Sequence, residues 1–228
     1  MIDKTLKKDD PAKSQNLRQR AYGAFRNALF SGAIKPGEFL SQRELCEKLD
    51  SPLGPMREAL KALEVEGLVT LMAKRGIQVV LIDEAQLREA YQARMVIECA
   101  TIRHFAEHAP ESQIQRIQDI TQAFVDRFNK SDQQDPALFR EKARVDFCLH
   151  DEIMELYNNQ ILRRAFHRAT EHVRIFRMNI GKSHGFFELP AMDEHLRILE
   201  ALLKRDGDAA AEAMRAHLTG ARDRAILN

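Results

Sequence analysis

The stretch that decides the fold is residues 41–80, SQRELCEKLDSPLGPMREALKALEVEGLVTLMAKRGIQVV. Ser41 precedes Glu44 by three residues, the spacing of a capping box in which each side chain satisfies the other residue's backbone N–H. A short helix is expected there. A turn follows, and Pro55 then occupies a favourable first position of a second helix over roughly 55–66. The stretch therefore predicts two short helices joined by a tight turn.

Two short segments rich in β-branched residues come next, 68–71 and 77–80. Gly76 lies between them, where a hairpin tip needs a residue that tolerates positive φ. Upstream, apolar residues recur at helical spacing from Asn16 onward. Together these elements predict a winged helix-turn-helix domain over residues 16–82.

Such a domain is a tool for docking on duplex DNA. Its second helix fits the major groove, which is about 12 Å wide. Arg57 stands in the first turn of that helix and Arg43 in the first turn of the preceding one. Lys74 and Arg75 stand at the hairpin tip, where they can reach phosphates or a minor groove, and Gly76 allows close approach. The same charges also fit the solvated surface of a small α+β domain, so the pattern alone leaves both interpretations open.

Ordered motifs add a family resemblance over residues 16–82. They are LFSGAIKPGEFL at 29–40, REL at 43–45, PMREAL at 55–60 and LEVEGLV at 63–69. This string closely resembles the DNA-binding domain of GntR-family bacterial transcription regulators. The resemblance implies that Arg43, Arg57 and the wing tip Arg75-Gly76 touch double-stranded operator DNA.

The turn before the second helix departs from the family pattern. Family members typically carry a sequence like Val-Ser-Arg-Thr-Pro, whereas residues 51–55 read SPLGP. Leu53, Gly54 and Pro55 thus stand at predicted DNA-contacting positions with less capacity for hydrogen bonding to bases. We expect an operator unlike the common family consensus, with apolar contact from Leu53 to a thymine methyl group.

Charge and histidine are distributed unevenly along the 228 residues. Residues 1–80 hold 14 Lys and Arg against 10 Asp and Glu, whereas all 8 histidines lie beyond them. No apolar run approaches the roughly 18 residues that cross a membrane, and the amino terminus lacks an apolar signal segment. The three cysteines are widely spaced. We expect a cytoplasmic chain with a basic DNA-binding part and no membrane partner.

Beyond Asp83 the sequence carries only helical periodicity. The predicted helical segments are 84–108, 111–130, 136–157, 159–180 and 191–222, the last split at 206–208, with a loop at 181–190. The predicted fold is therefore mainly α. A flexible arm over 1–15 precedes the winged helix-turn-helix domain, and an antiparallel all-α bundle spans 84–224.

Four residues of this bundle have the chemistry of metal ligands. Asp146 and His150 are four residues apart and so share one helix face. His195 stands 12 residues before Gly207 and His217 stands 10 after it. At about 1.5 Å per residue, two antiparallel helices bring both histidines to one level. Three imidazoles and a carboxylate suit Zn, Ni, Mn or Fe, although such spacings also occur on helices that bind no metal.

The same residues carry a second resemblance, over roughly residues 84–224. The strings DFCLH at 146–150, EHLRIL at 194–199 and AMRAHL at 213–218 look like the FCD effector domain of FadR-type GntR regulators, in its six-helix, VanR-like variety. The resemblance implies that Asp146, His150, His195 and His217 hold a divalent metal, which accepts a carboxylate of a small organic acid effector. Effector contacts are predicted for Arg94, His172 and Arg144.

The expected function is a homodimeric, metabolite-responsive DNA-binding regulator, acting as a repressor on a palindromic operator, and not an enzyme. One alternative is a metal-free domain of the same type, in which His and Arg bind the effector directly. Another is an all-α phosphohydrolase built on the dipeptide His150-Asp151. That enzyme would also need an upstream histidine, such as His104 or His108, and a late aspartate such as Asp193.

Overall fold

The computed structural model of the chain describes residues 11–73, 75–131, 136–179 and 189–227. The predicted DNA contact Lys74 and most of the predicted loop at 181–190 lie outside these residues. The chain forms two compact units that divide between Leu81 and Ile82. The first unit contains α1 (Pro11–Phe30), β1 (Phe39–Leu40), α2 (Gln42–Lys48), α3 (Leu53–Val65), β2 (Val69–Met72) and β3 (Gly76–Val79). The second contains α4 (Glu84–His108), α5 (Glu111–Phe128), α6 (Pro136–Tyr157), α7 (Gln160–Asn179), α8 (Leu189–Leu203) and α9 (Gly207–Leu227).

The N-cap residues of α2 and α3 determine where these two helices begin. The Ser41 side chain accepts the Glu44 N–H at 3.1 Å, and the Glu44 carboxylate accepts the Ser41 N–H at 2.7 Å, which completes the predicted capping box. Helix α3 begins at Leu53, two residues before the predicted start, with an extended Pro52 as its N-cap. Pro55 is therefore the third helical residue and not the first. The first turn donates no intrahelical hydrogen bonds, so a missing N–H costs nothing there.

A three-stranded antiparallel sheet completes the first unit, in the order β1-β3-β2. The sequence predicts β2 and β3 but not β1, because two residues are too few to show alternation. Gly76 adopts φ +106°, and a Cβ there would lie 2.6 Å from the Leu40 carbonyl oxygen. Close packing of β3 against β1 thus requires glycine at this position.

Apolar side chains from every helix of this unit fill its core. Helix α1 packs on α3, and α3 packs on both α2 and β2. The fully buried residues include Phe25, Leu29, Ile34, Leu45, Met56, Leu60, Leu63 and Leu68. The opposite faces of α2 and α3 stay exposed, which leaves their charged residues available to a partner.

Helix α4 is the centre of the second unit, which comprises six helices among the described residues. It begins with a capping box between Asp83 and Gln86, and it packs against α6, α7 and α9. Helices α5 and α8 pack on each other, and α8 also packs on α9. The helix count agrees with the six-helix bundle implied by the sequence.

The turn between α8 and α9 falls where the aspartates predict it. Arg205 adopts φ +59°, and the Asp206 carboxylate accepts the Ala209 N–H at 2.9 Å, which caps α9. Helix α8 begins at Leu189, inside the segment predicted to be a loop. Among the described helices, none combines the length and apolar composition needed to cross a bilayer.

Candidate functional site

Three imidazoles meet inside the second unit. His150 comes from α6, His195 from α8 and His217 from α9, and one nitrogen atom of each lies within 4.8 Å of the others. All three residues are buried, with no more than 3% of any one exposed. The short turn between α8 and α9 brings the last two level, with their Nε2 atoms 3.2 Å apart.

Asp146 lies beside these imidazoles, one helical turn before His150 on α6. Its Oδ1 is 3.9 Å from His195 Nε2. Burial by itself would raise the pKa of Asp146, but Lys142, His195 and Arg177 together hold that pKa well below its usual range. The structure thus brings together all four predicted metal-ligating residues, with the aspartate as a carboxylate.

Hydrogen bonds orient two of the rings. His150 Nδ1 contacts the Glu98 carboxylate, and His217 Nδ1 lies 2.9 Å from Glu194 Oε2. Because a carboxylate only accepts hydrogen bonds, Nδ1 of each ring carries the proton. In the neutral form of this tautomer, the Nε2 lone pair is left for another partner. Carboxylates behind metal-binding histidines fix the tautomer in this way.

His195 and His217 are held in the neutral form. Burial lowers the pKa of His195 well below 6.5, and the neighbouring His217 and His150 rings lower it further. Burial also lowers the pKa of His217, although its hydrogen bond to Glu194 opposes that effect. Within the described part of the chain, the buried Nδ1 of His195 has no hydrogen-bond partner. Neutral imidazoles beside a carboxylate fit a divalent cation.

Sequence reasoning did not identify Glu98 and Glu194 as partners of the imidazoles. Glu98 also accepts a 2.7 Å hydrogen bond from Arg94 Nε, and both residues are buried. Burial raises the pKa of Glu98, but Arg94 and His150 lower it to about 2. No local pattern reveals these contacts, because the Glu98–His150 pair spans 52 residues of sequence.

The three predicted effector residues lie in different surroundings. Arg94 is buried near the cluster, with its guanidinium on Glu98. Arg144 is exposed, since it stands two residues before Asp146 and points to the other side of α6. His172 is half-buried on α7. Burial lowers the pKa of His172, and the charge of Arg168 lowers it further, whereas Glu89 raises it. No residue of the cluster is among these causes.

Arg177 reaches the cluster although the sequence analysis did not select it. Its Nη1 lies 4.0 Å from Asp146 Oδ2, and its Nη2 donates to the Tyr91 hydroxyl at 3.2 Å. It follows Val173 by four residues on the face of α7 that also buries Phe166. The sequence did offer one indication of this role. Arg177 is a charged residue at a position where the helical pattern of α7 predicts an apolar one.

Within the described part of the chain, the ligand set of a phosphohydrolase is not assembled around His150. His104 and His108 stack on each other with ring centroids 4.0 Å apart, and His104 also meets Tyr157 edge-on. Asp151 and Asp193 are both exposed. Among the described residues, the group that can hold a metal contains only the three clustered histidines, with Asp146 beside them.

The exposed face of α2 and α3 carries the predicted DNA contacts. The Arg43 side chain is 89% exposed and pairs with Glu47 at 3.0 Å. Arg57 is exposed, and its Nε donates to Gln42 Oε1 at 3.0 Å, which links the two helices. Gln42 carried no sequence pattern that pointed to this role.

The remaining predicted contacts lie at the start of α3 and at the hairpin tip. Leu53 is 44% exposed, unusual for a leucine, and Gly54 next to it is exposed. Pro55 is half-buried in the first turn. Arg75 is exposed at the tip, whereas Gly76 is half-buried against β1.

Family models match both units. Residues 17–79 match the model described as bacterial regulatory proteins, gntR family, and residues 89–220 match the FCD domain. The described fold is similar to a putative transcriptional regulator GntR from Rhodococcus sp. RHA1, with a TM-score of 0.72 and 22% identity over 92% of this chain and 97% of that one. It is also similar to E. coli McbR/YncC, with a TM-score of 0.70 and 18% identity over 90% and 94% of the two chains.

Curated relatives carry regulatory names. The HTH-type transcriptional repressor RspR of Escherichia coli K12 is 30% identical over 211 residues, which cover 90% of this chain and 87% of that protein. The Nta operon transcriptional regulator of Aminobacter aminovorans is 24% identical over 185 residues, covering 81% and 83%. With both units matched, the chain belongs to the GntR family of DNA-binding transcriptional regulators, in the group that carries a carboxyl-terminal FCD domain and is not enzymatic.

Proposed function

We propose that this regulator is a homodimeric repressor whose operator affinity is set by a small organic acid bound at a divalent metal in the second unit. The observation that carries the proposal is the cluster of three buried imidazoles with Asp146 beside it. Buried polar groups are costly unless they are satisfied, so such a cluster is retained for a ligand.

The proposed metal ligands are Asp146, His150, His195 and His217. The donor set combines nitrogen and carboxylate oxygen, which suits Zn, Ni, Mn or Fe. When bound, the ion supplies a Lewis-acidic position that can accept a carboxylate group. The protein's own contribution is to orient two of the imidazoles through Glu98 and Glu194, and to keep His195 and His217 neutral through burial.

The effector is proposed to enter from the side of Asp146 and Arg177. Those side chains are 11% and 28% exposed, whereas the three imidazole side chains are at most 4% exposed. Arg177 carries a planar guanidinium that can orient a carboxylate with two parallel hydrogen bonds. The Arg94 side chain is 4% exposed and that of Arg177 is 28% exposed, so Arg177 is the more accessible candidate for effector contact.

The DNA-binding domain is proposed to span residues 16–82 and the effector domain 84–224. A dimer with two-fold symmetry would place two copies of α3 on the half-sites of a palindromic operator. The proposed DNA contacts are Arg43, Leu53, Gly54, Pro55, Arg57, Lys74, Arg75 and Gly76. An effector that favours the DNA-free arrangement by about 1–3 kcal/mol would weaken operator binding about 5- to 150-fold.

Metal analysis together with a thermal-shift screen tests the proposal. The protein, purified without chelators, is expected to carry about one divalent ion per chain by mass spectrometry of the elements. Small mono- and dicarboxylates are then screened, and one present above its Kd should raise the melting temperature by mass action. Chelator treatment should abolish that shift.

Two outcomes would contradict the metal proposal. Protein that neither retains nor takes up a divalent ion cannot use one to bind the effector. A carboxylate shift that survives chelator treatment would favour the metal-free alternative, in which His and Arg side chains bind the acid directly.

A further inference from the structure

We infer that Arg224 is a positioning residue for the proposed metal site, acting through Glu194 on His217. This inference rests on the proposed function, since it concerns how the protein prepares one imidazole for the ion. Arg224 lies in the last turn of α9, seven residues after His217, and so nearly on the same face of that helix. It does not belong to the four proposed ligands.

Glu194 connects the two residues. Its Oε2 accepts a hydrogen bond from His217 Nδ1 at 2.9 Å and another from Arg224 Nη2 at 2.8 Å. Its Oε1 accepts a third from Arg224 Nη1, also at 2.8 Å. The guanidinium of Arg224 therefore forms a bidentate pair with the Glu194 carboxylate through two parallel hydrogen bonds, the strongest and most directional arrangement for this pair. A carboxylate fixed in this way can hold the His217 ring in one tautomer and one orientation.

The helix leaves room for this pair at Gly220. A Cβ on Gly220 would lie 2.8 Å from Arg224 Nη1 and 3.2 Å from Glu194 Oε1. Alanine is favoured over glycine inside a helix, so local helix propensity does not explain glycine at this position. The missing side chain instead accommodates the ion pair.

A second series of contacts in the same unit also runs from an arginine through a glutamate to a histidine. Arg94 binds Glu98, and Glu98 binds His150. That pair is buried, with side chains 4% and 0% exposed, so removing one partner would strand a buried charge. The side chains of Arg224 and Glu194 are 22% and 16% exposed, so water can solvate the carboxylate once the arginine is replaced. Arg224 can therefore be tested without the folding defect expected at Arg94.

The test compares Arg224→Gln with Arg222→Gln in the full chain. Arg222 is a matched control, because it lies on the same helix, is 28% exposed and pairs with the adjacent Asp223. Each protein is stripped with a chelator, and Co²⁺ alone is titrated against a chromophoric chelator. We expect Arg224→Gln to weaken Co²⁺ binding about 10- to 100-fold, as is typical when the support of a metal-binding histidine is removed. Arg222→Gln should bind like the wild type.

Two further readouts separate positioning from a merely structural role. In ¹⁵N-histidine spectra of the metal-free protein, wild-type His217 should show the tautomer protonated at Nδ1, and Arg224→Gln should show a mixture. Gly220→Ala should weaken Co²⁺ binding while the metal-free protein melts at the same or a higher temperature. Loss of packing alone cannot produce that combination.

The outcomes distinguish this inference from the proposed function. If wild-type protein binds no Co²⁺, the metal proposal fails and this inference fails with it. If the wild type binds Co²⁺ but Arg224→Gln binds it as tightly as Arg222→Gln does, only the role of Arg224 is overturned. An unchanged His217 tautomer in Arg224→Gln would contradict the role in the same way.

Discussion

Single residues in the second unit depart from the usual rule that charged and polar side chains stay on the surface. Arg94, Glu98, Asp146, His150, His195 and His217 are all buried there. Most of their polar atoms are satisfied by one another, as with Arg94 on Glu98 and Glu98 on His150. His195 is the exception, because its buried Nδ1 lacks a partner among the described residues. Its Nε2 faces His217 Nε2 at 3.2 Å and Asp146 Oδ1 at 3.9 Å, and we interpret His195 as a residue that serves binding and not packing.

His195→Ala tests this interpretation. We expect the variant to lose its bound ion and its thermal response to carboxylates, because one of the four proposed ligands is missing. The free energy of unfolding of the metal-free protein should fall by about 0.5–3 kcal/mol, since the buried ring is replaced by a cavity. Metal content and chemical denaturation measure the two effects.

His167→Ala is the control, because His167 is exposed on α7. It should retain both the ion and the wild-type stability. The metal-free His195→Ala protein should still bind operator DNA, since the first unit is unchanged. Full metal occupancy in His195→Ala would remove this histidine from the ligand set.

Arg57 allows a matching test of the DNA-binding face. Because α3 begins at Leu53, Arg57 is its fifth residue and lies in the second turn, not in the first turn that the sequence predicts. Its guanidinium is exposed there and donates to Gln42. Arg57→Ala should weaken operator binding by about 1–3 kcal/mol, because a charged contact to a base or phosphate is lost. Electrophoretic mobility shifts at fixed salt measure the change. Arg88→Ala, an exposed arginine on α4, should leave affinity unaltered, and equal losses in both variants would contradict the assignment to α3.

At the scale of elements, local chemistry predicted most of the fold. The capping boxes at Ser41 and Asp83 begin α2 and α4, and the aspartates near Gly207 separate α8 from α9. The structure also places the four proposed ligands close together. Strand β1 and the true start of α3 were missed, because pairing with β3 and the extended Pro52 depend on tertiary context.

The edge of the small sheet gives a prediction about glycine. Gly32 and Gly76 both have positive φ, at +78° and +106°, but only a Cβ on Gly76 would clash, 2.6 Å from the Leu40 carbonyl oxygen. Gly32→Ala should therefore cost about 1–2 kcal/mol through backbone strain alone. Gly76→Ala should cost more, because β1 and β3 must also separate. Urea unfolding of the two variants gives the comparison, and equal losses would show that the clash is relieved without cost.

For the whole molecule, the division of charge along the sequence corresponds to the division of the structure. The basic residues 1–80 belong to the unit with the exposed arginines Arg43 and Arg57, and the histidines belong to the unit with the imidazole cluster. The proposed DNA contacts and the buried polar cluster thus lie in separate compact units.

The buried imidazoles make stability depend on pH. The pKa values of His195 and His217 are lowered from 6.5 in the folded chain, so the unfolded chain binds more protons just below that pH. The metal-free protein should thus have its full free energy of unfolding above pH 6.5, and this free energy should fall as the pH drops below 6.5. The slope is up to about 1.4 kcal/mol per pH unit for each imidazole.

Urea unfolding of chelator-treated protein between pH 7.5 and 5 measures this dependence. The pKa values of Asp146 and Glu98 are lowered as well, so a further loss should begin as the pH falls toward 4.5, where these carboxyls become protonated in the unfolded chain. A flat profile between pH 7 and 5.5 would indicate that the imidazoles are solvated in solution.

The adjacency of Glu194 and His195 on α8 has a mechanical consequence. His195 is a proposed ligand of the ion, and Glu194 supports the imidazole of His217 on α9. The position of one helix therefore determines the positions of both side chains. A rotation of α8 about its axis would move His195 and, at the same time, weaken the hydrogen bond between Glu194 and His217. Retention of the cation would then respond steeply to the angle of one helix, and this steepness would give a small incoming acid leverage over the bundle.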